Sequence, residues 1–287
     1  MLRTNKDRLV KIAVVGEVSA PTLPPTMYRP DAAGRSTVLI GMYGIAYNAR
    51  VGDPAFGWAA DHLEPGVSIH HTDPQMHHAL HYLTCVGNEA MVISGDAAGS
   101  RGRLSGEHER LMVDFEPDIL DKLCIGDKVQ IWGYGVGLEL LDFPSVGVYK
   151  CSPDLIDAIP FEVSAEGKLR VPVTHIIPAR LMGSGAELPT EFVDQDFMSN
   201  DRQAIADEGL TDLRIGDLVA ITDHAHFWGR EYRPGAVSIG LINHGDSVMI
   251  GHGPGVMTLL TATSSVIEPV LTPDANIAHY LRFGNWG

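Results

Sequence analysis

Apolar residues along this chain come in short runs, and glycine or proline interrupts most of them before a helix-length stretch is complete. Several runs alternate with polar positions, as strands buried on one face do. Residues 9–18 form a β-branched run that predicts a first strand. The proline-rich SAPTLPPTMYRPDAAGRS after it predicts an irregular loop, because proline cannot donate to a β-ladder. Residues 37–69 are apolar runs punctuated by Gly41, Gly44, Gly52, Gly57 and Gly66. Asp73-Pro74 then supplies a helix cap and first-turn proline for a helix to about Leu83, whose His77 and His81 share one face. That face is expected to be solvated rather than metal-binding.

A strand is predicted from Glu89 to Ser94, followed by a turn rich in glycine (Gly95, Gly99, Gly102, Gly106) that suits a bulged hairpin and lacks the GK[ST] of a phosphate loop. PDILDKL at 117–123 predicts a short helix. The phrase L-x-I-G-D-x-V-x-I occurs twice, from Leu123 and from Leu213, 90 residues apart. In each copy Gly-Asp makes a turn and the alternation that follows makes a half-buried strand. Ser152-Pro153, Ser199-Asn200-Asp201 and Thr272-Pro273 predict three more short helices, the last over 273–282. The chain is therefore expected to be mainly β, a β-rich α+β fold of two modules. The boundary falls within 151–175 and is set at 1–160 and 161–287.

Composition narrows the functional classes. A net charge of -15 repels polyanions, which argues against nucleic acid and anionic membrane surfaces as partners. No apolar run reaches the roughly 18 residues of a membrane span. Cys85, Cys124 and Cys151 are sparse and lack CxxC spacing, so a disulfide framework or zinc ribbon is not expected. With a start that reads as a strand instead of a signal peptide, they predict a cytoplasmic protein. The long proline-rich loop suggests a homo-oligomer.

Chemistry concentrates in residues 213–261, where Asp223, His224, His226, His244 and His252 fall in one strand-and-turn unit. On a strand, His224 and His226 would face the same way with Cα atoms about 6.5–7 Å apart, close enough to share a divalent ion. Against this stands the count of 13 histidines, which places some near each other by chance. Asp61-His62-Leu63-Glu64 offers similar chemistry in the other half. GxSxG, HExxH and CxxC are all absent, which leaves histidine–carboxylate acid/base work or metal-activated water acting on a small molecule.

GIAYNARVGDPAFGWAADHLEPGVS, GDAAGSRGRLSGEH, LMGSG, IGDLVAITDHAHFWG, RPGAVSIG and GHGPGV together resemble the domain-of-unknown-function family 4438 over nearly the whole chain. The resemblance implies an N-terminal barrel of the RIFT type followed by a C-terminal β-rich portion. Its motifs match at Asp61, His62, Glu64, Gly95, His108, Asp223, His224, His244 and His252, whereas His226 departs from the pattern. The strand entries after Gly-Asp and the His/Gly-rich turns are also similar to acetamidase and formamidase-like proteins, which implies hydrolysis of an amide or cyclic amide C–N bond. On this reading His62, His224 and His252 hold a divalent ion, Zn or Mn. Glu64 or Asp223 acts as general base, His244 stabilises developing charge, and Asp61, His108, Gly253 and Gly255 contact the substrate. The alternatives are a metal-independent lyase or isomerase using Asp/His pairs, and a metabolite-binding protein without turnover. The reading requires the 61–64 and 213–261 segments to meet within a few ångströms.

Overall fold

The computed structural model describes residues 2–23, 27–185, 190 and 194–283. Strands hold 38% of the chain and helices 14%, so the fold is mainly β. In the first half, six antiparallel strands close on themselves: β1 (Ile12–Val18), β2 (Gly66–His70), β3 (Glu89–Val92), β4 (Arg101–Glu107), β5 (Leu111–Asp114) and β6 (Lys128–Gly133). Their order is β1-β6-β3-β4-β5-β2, and β2 pairs back onto β1 through Glu17↔His70 and Val18↔Ile69. Closure leaves the barrel without free edges.

Alternation along β1 turns Val14 and Val18 inward. There they join Ile69, Leu104, Val113, Phe115 and Ile131 in one core, capped by Leu80 of the helix Pro74–Leu83. Each such side chain contributes roughly 1.5–3 kcal/mol by leaving water. Gly16 permits the closure, since a Cβ there would lie 2.6 Å from Ile69 Cγ2 and 2.8 Å from the His70 carbonyl oxygen. Asp73 caps the helix as expected, accepting from the amides of Gln75 and Met76. The expectation of a solvated histidine face is corrected, because His81 is fully buried against Glu107.

The second half is built on β7 (Gly147–Val148), β8 (His175–Pro178), β9 (Gln195–Asp196), β10 (Leu218–His226), β11 (Arg230–His244) and β12 (Gly255–Ala262). Their order is β7-β12-β11-β10-β8, with β9 added to β12. Its core gathers Leu218, Ile239, Leu241 and Leu259 with Val86, Leu138, Leu140 and Leu155. The stretch from about 138 to 159 thus packs with the second half. A separate sheet of Glu162–Val163, Leu169–Val173 and Ile267–Leu271 flanks it.

Both copies of the repeated phrase make the same turn. Gly126 and Gly216 sit at φ 89° and 92°, a left-handed conformation that glycine adopts without penalty. Asp127 and Asp217 each accept from the amide three residues back, Cys124 at 2.8 Å and Arg214 at 2.9 Å, before β6 and β10 begin. Two local expectations change. The proline-rich stretch contains an exposed hairpin, Tyr28–Pro30 with Ser36–Val38, because Pro30 lies at its end, where a missing donor is tolerated. The last helix spans only Ile277–Leu281, where the Asn276 side chain supplies the cap to Ala278 that Thr272 was expected to give. Among the described residues, no helix is long and apolar enough to cross a membrane.

Candidate functional site

The loop 61–64 is clasped onto the turn after β11. The His62 amide donates to the Asp246 carbonyl (2.9 Å), and the Gly245 amide to that of Leu63 (3.0 Å). Asp61 Oδ1 accepts from Ser247 Oγ (2.8 Å) and the Val248 amide (2.9 Å). To fit, His62 takes φ 48°, a left-handed conformation costing a β-carbon residue roughly 1–2 kcal/mol. Its ring is thereby placed among residues far away in sequence.

Four imidazoles and two carboxylates converge there. His62 Nε2 lies 3.1 Å from His252 Nδ1 and 3.3 Å from Asp196 Oδ2, and His252 Nδ1 lies 2.7 Å from that same oxygen. His244 Nε2 is 2.9 Å from Asp194 Oδ2 and 3.4 Å from Asp196 Oδ1. One ring nitrogen each of His62, His108 and His244 lies within 4.8 Å of the other two. The group opens into a cavity of about 480 Å³ lined in part by His108, Arg110, Asp194, Asp196 and His252.

Orientation of the rings decides what they offer. His62 Nδ1 donates to Asp61 (2.6 Å), His108 Nδ1 to Glu64 (2.9 Å), and His244 Nδ1 to the Gly245 carbonyl (2.9 Å). Each acceptor holds a hydrogen on Nδ1 and so leaves Nε2 as the ring nitrogen available to the cluster, one of the two through which histidines bind metals. His244 Nε2 has no hydrogen-bond partner although it is fully buried, with two carboxylate oxygens 2.9 and 3.4 Å away.

Without a cation, protons must balance the carboxylates. Burial pulls both His62 and His244 down, and is outweighed by Asp196 and Asp61 at His62, pushed up to about 9, and by Asp194 and Asp196 at His244, held well above its usual value. Burial likewise pushes Asp196 and Asp194 up. For Asp196, the neighbouring imidazoles of His244, His252 and His62 reverse this and hold it well below the carboxylate range. For Asp194, the charges of His108 and His244 do so.

Of the residues singled out from sequence, the structure brings together Asp61, His62, Glu64, His108, His244 and His252. Glu64 does not face the cavity as a free base, because it binds His108, Ser68 and the Tyr43 amide. His224 is not part of the group, which corrects its assignment as a ligand. His224 and His226 do share a face, but their rings meet Gln195, at 3.0 Å from its Oε1 and 2.7 Å from its Nε2. Gln195 alternates along the chain with Asp194 and Asp196, so it points away from the cluster. Burial drives His224 and His226 down to about 3 and 4, neutral rings in a polar core network with Ser238, Thr258 and Thr261.

Asp223 is also removed from the site. It occupies the β10 bulge at φ 54° and accepts from the Gly235 amide (2.8 Å), so the strand's irregularity turns it outward. Gly253 and Gly255 act through close packing. A Cβ on Gly253 would strike the Phe197 carbonyl, and one on Gly255 would strike Asp194 Oδ2 and His244 Nε2. Gly95 packs in the same way against the Asp127 carboxylate, away from the cluster.

Sequence reasoning missed Asp194 and Asp196. Their signal was the D-x-D spacing within an acidic stretch, which puts two carboxylates on one side of an extended chain just as H-x-H does for two imidazoles.

Two family models, the N-terminal and C-terminal domains of unknown function DUF4438, match residues 28–157 and 158–281. The solved structure reported as "Crystal structure of TM1086" is 44% identical, spans 97% of this chain and 99% of its own, and superposes with a TM-score of 0.92. No curated protein matches.

Proposed function

The chain belongs to the domain-of-unknown-function family 4438, and from that premise we propose that it is an enzyme hydrolysing an amide or cyclic amide C–N bond of a small polar metabolite at a divalent metal centre. The observation that supports this most is the set of three imidazoles, His62, His108 and His244, each with Nδ1 tied to an oxygen and one ring nitrogen within 4.8 Å of the other two. The ligand atoms of His62, His252 and Asp196 stand 2.7–3.3 Å apart. Donors about 2.1 Å from one ion stand roughly 3.0–3.4 Å apart, so the two distances from His62 Nε2 suit Zn or Mn and the His252–Asp196 contact would open by about 0.3 Å. Such an ion lowers the pKa of water and polarises a carbonyl oxygen.

The protein's own part is to orient and to exclude. Asp61 and Glu64 fix the rings of His62 and His108 as positioning residues, in place of the base role first expected of Glu64. Arg110, whose guanidinium lies 4.6 Å from the Tyr43 ring centre, stands in the cavity wall and offers a fixed positive charge to a polar substrate. The choice of C–N chemistry rests on the similarity of the Gly-Asp strand entries and His/Gly-rich turns to acetamidase and formamidase-like proteins. Cytoplasmic location and self-association are part of the same proposal.

A second reading has its own observation. With His62 pushed up to about 9 and His244 also raised, two imidazolium ions offset the charges of Asp194 and Asp196 without a metal. That arrangement suits proton transfer in a lyase or isomerase.

Protein purified without a nickel column is assayed by elemental analysis and then against a panel of small amides and cyclic amides. Copurified Zn or Mn, with hydrolysis that a chelator abolishes and the metal restores, is expected. Less than about a tenth of an equivalent, with no rise in melting temperature on adding Zn²⁺ or Mn²⁺, sinks the metal centre. Turnover that survives the chelator points to the proton-transfer reading. Tight ligand binding without product points to a binding protein.

A further inference from the structure

We propose that the centre holds two divalent ions bridged by the Asp196 carboxylate, an inference that rests on reading the cluster as a metal site. The two oxygens of Asp196 address different partners. Oδ2 lies 2.7 Å from His252 Nδ1 and 3.3 Å from His62 Nε2. Oδ1 lies 3.4 Å from His244 Nε2, which in turn lies 2.9 Å from Asp194 Oδ2. His62–Asp196–His252 and Asp194–Asp196–His244 therefore form two separate ligand triads that share one residue. A carboxylate that splits its oxygens between two triads sets two ions about 3.5–4 Å apart, the spacing of two-metal hydrolytic centres.

Three further observations favour two ions over one. His244 Nε2 is a buried nitrogen without a hydrogen bond, facing two carboxylate oxygens, and it belongs to the triad that a single ion at His62 and His252 would leave empty. Asn243 Nδ2 donates to Asp194 Oδ2 at 2.8 Å, which fixes this carboxylate toward His244. Charge gives the same number: with neutral imidazoles, Asp61, Glu64, Asp194 and Asp196 hold four negative charges in a buried volume, and all four are among the least exposed acidic residues. Two divalent ions neutralise them, whereas one leaves two buried charges uncompensated, which is costly in a low-dielectric interior. His108, within reach of both His62 and His244, stands between the triads on the cavity side, where it can bind either ion.

Full-length protein is stripped with a chelator, reloaded with Mn²⁺, freed of excess metal, and examined by elemental analysis and electron paramagnetic resonance. The expected result is two equivalents per chain with the spectrum of an exchange-coupled manganese pair. His252→Ala, which alters a partly exposed side chain, is expected to hold one equivalent and show an isolated-ion spectrum. One equivalent in the wild type overturns the bridge and leaves a mononuclear centre standing, and two with an uncoupled spectrum overturn the bridge by placing the ions at separate sites. No bound manganese, with none on repeating the load with zinc, overturns both readings.

Discussion

Gly255→Ala tests how tightly the cluster is built. Gly255 pairs with His244 across the central strands β11 and β12, and a Cβ there would fall well inside van der Waals distance of Asp194 Oδ2 and His244 Nε2. Restoring ordinary contact requires those atoms to retreat by about 1 Å. The backbone cannot take up the shift, since every residue of β12 is buried and the strand is paired on both sides. His244 has no open space either, being fully buried with Nδ1 on the Gly245 carbonyl. Overpacking of this kind costs roughly 1–3 kcal/mol, a fall of about 2–6 °C in melting temperature for a chain of this size. The larger effect falls on function, because a ligand displaced by about 1 Å no longer shares an ion with its neighbours, and metal affinity should drop at least about 100-fold. Differential scanning fluorimetry and competition with a chromogenic chelator measure the two effects on one preparation. Gly251→Ala is the control: its Cβ meets nothing within 4 Å, and it carries only the strain of φ 83°. A Gly255→Ala protein with wild-type melting and metal affinity would refute the reasoning.

Three other substitutions probe separate links. Asp61→Asn keeps a hydrogen-bond acceptor for His62 Nδ1 but loses its charge, and should weaken metal binding about 10–100-fold in chelator competition, whereas an unchanged affinity would leave Asp61 with loop clasping alone. Lys150→Met strands the buried Glu107 carboxylate that Lys150 contacts at 2.8 Å; urea unfolding should show a loss of about 3–5 kcal/mol, partly recovered by adding Glu107→Gln. Burial pushes Asp114 up to about 6 despite Arg50, so the folded state holds this proton more tightly than the unfolded chain, for which the usual value is 3.8. Its contribution is therefore favourable below about pH 4 and lost as pH rises through 6. Asp114→Asn should gain on the order of 2–3 kcal/mol over wild type above pH 7 and almost nothing near pH 4, while a pH-independent difference would contradict the assignment.

Elements carried by local chemistry were legible in the sequence. Asp73-Pro74, Ser152-Pro153 and Asp201 cap helices because a cap needs only a side-chain oxygen two or three residues from the amides it serves. The repeated Gly-Asp turns are equally local. The site was legible only in part, because its geometry is set by strand register and by which face of a strand meets the cavity. His224 was expected to be a ligand and His244 to stabilise developing charge, yet the bulge at Asp223 and the contact with Gln195 send His224 into a core. Asp194 and Asp196 were hidden because a short edge strand, Gln195–Asp196, has too few residues to show alternation. Only its pairing with β12 reveals which side faces the imidazoles.

His62 and His252 touch across 190 residues of sequence. Any ligand that binds both ties the ends of a loop of that length, as a covalent cross-link would, and closing such a loop in the unfolded chain costs roughly 5 kcal/mol of chain entropy. The same contact joins the barrel side of the molecule to the β12 sheet, so an occupied site would act as a rivet between them. Nicking the backbone at an exposed position such as Gly167 would then leave two fragments whose association is tighter with the rivet in place than with it drawn.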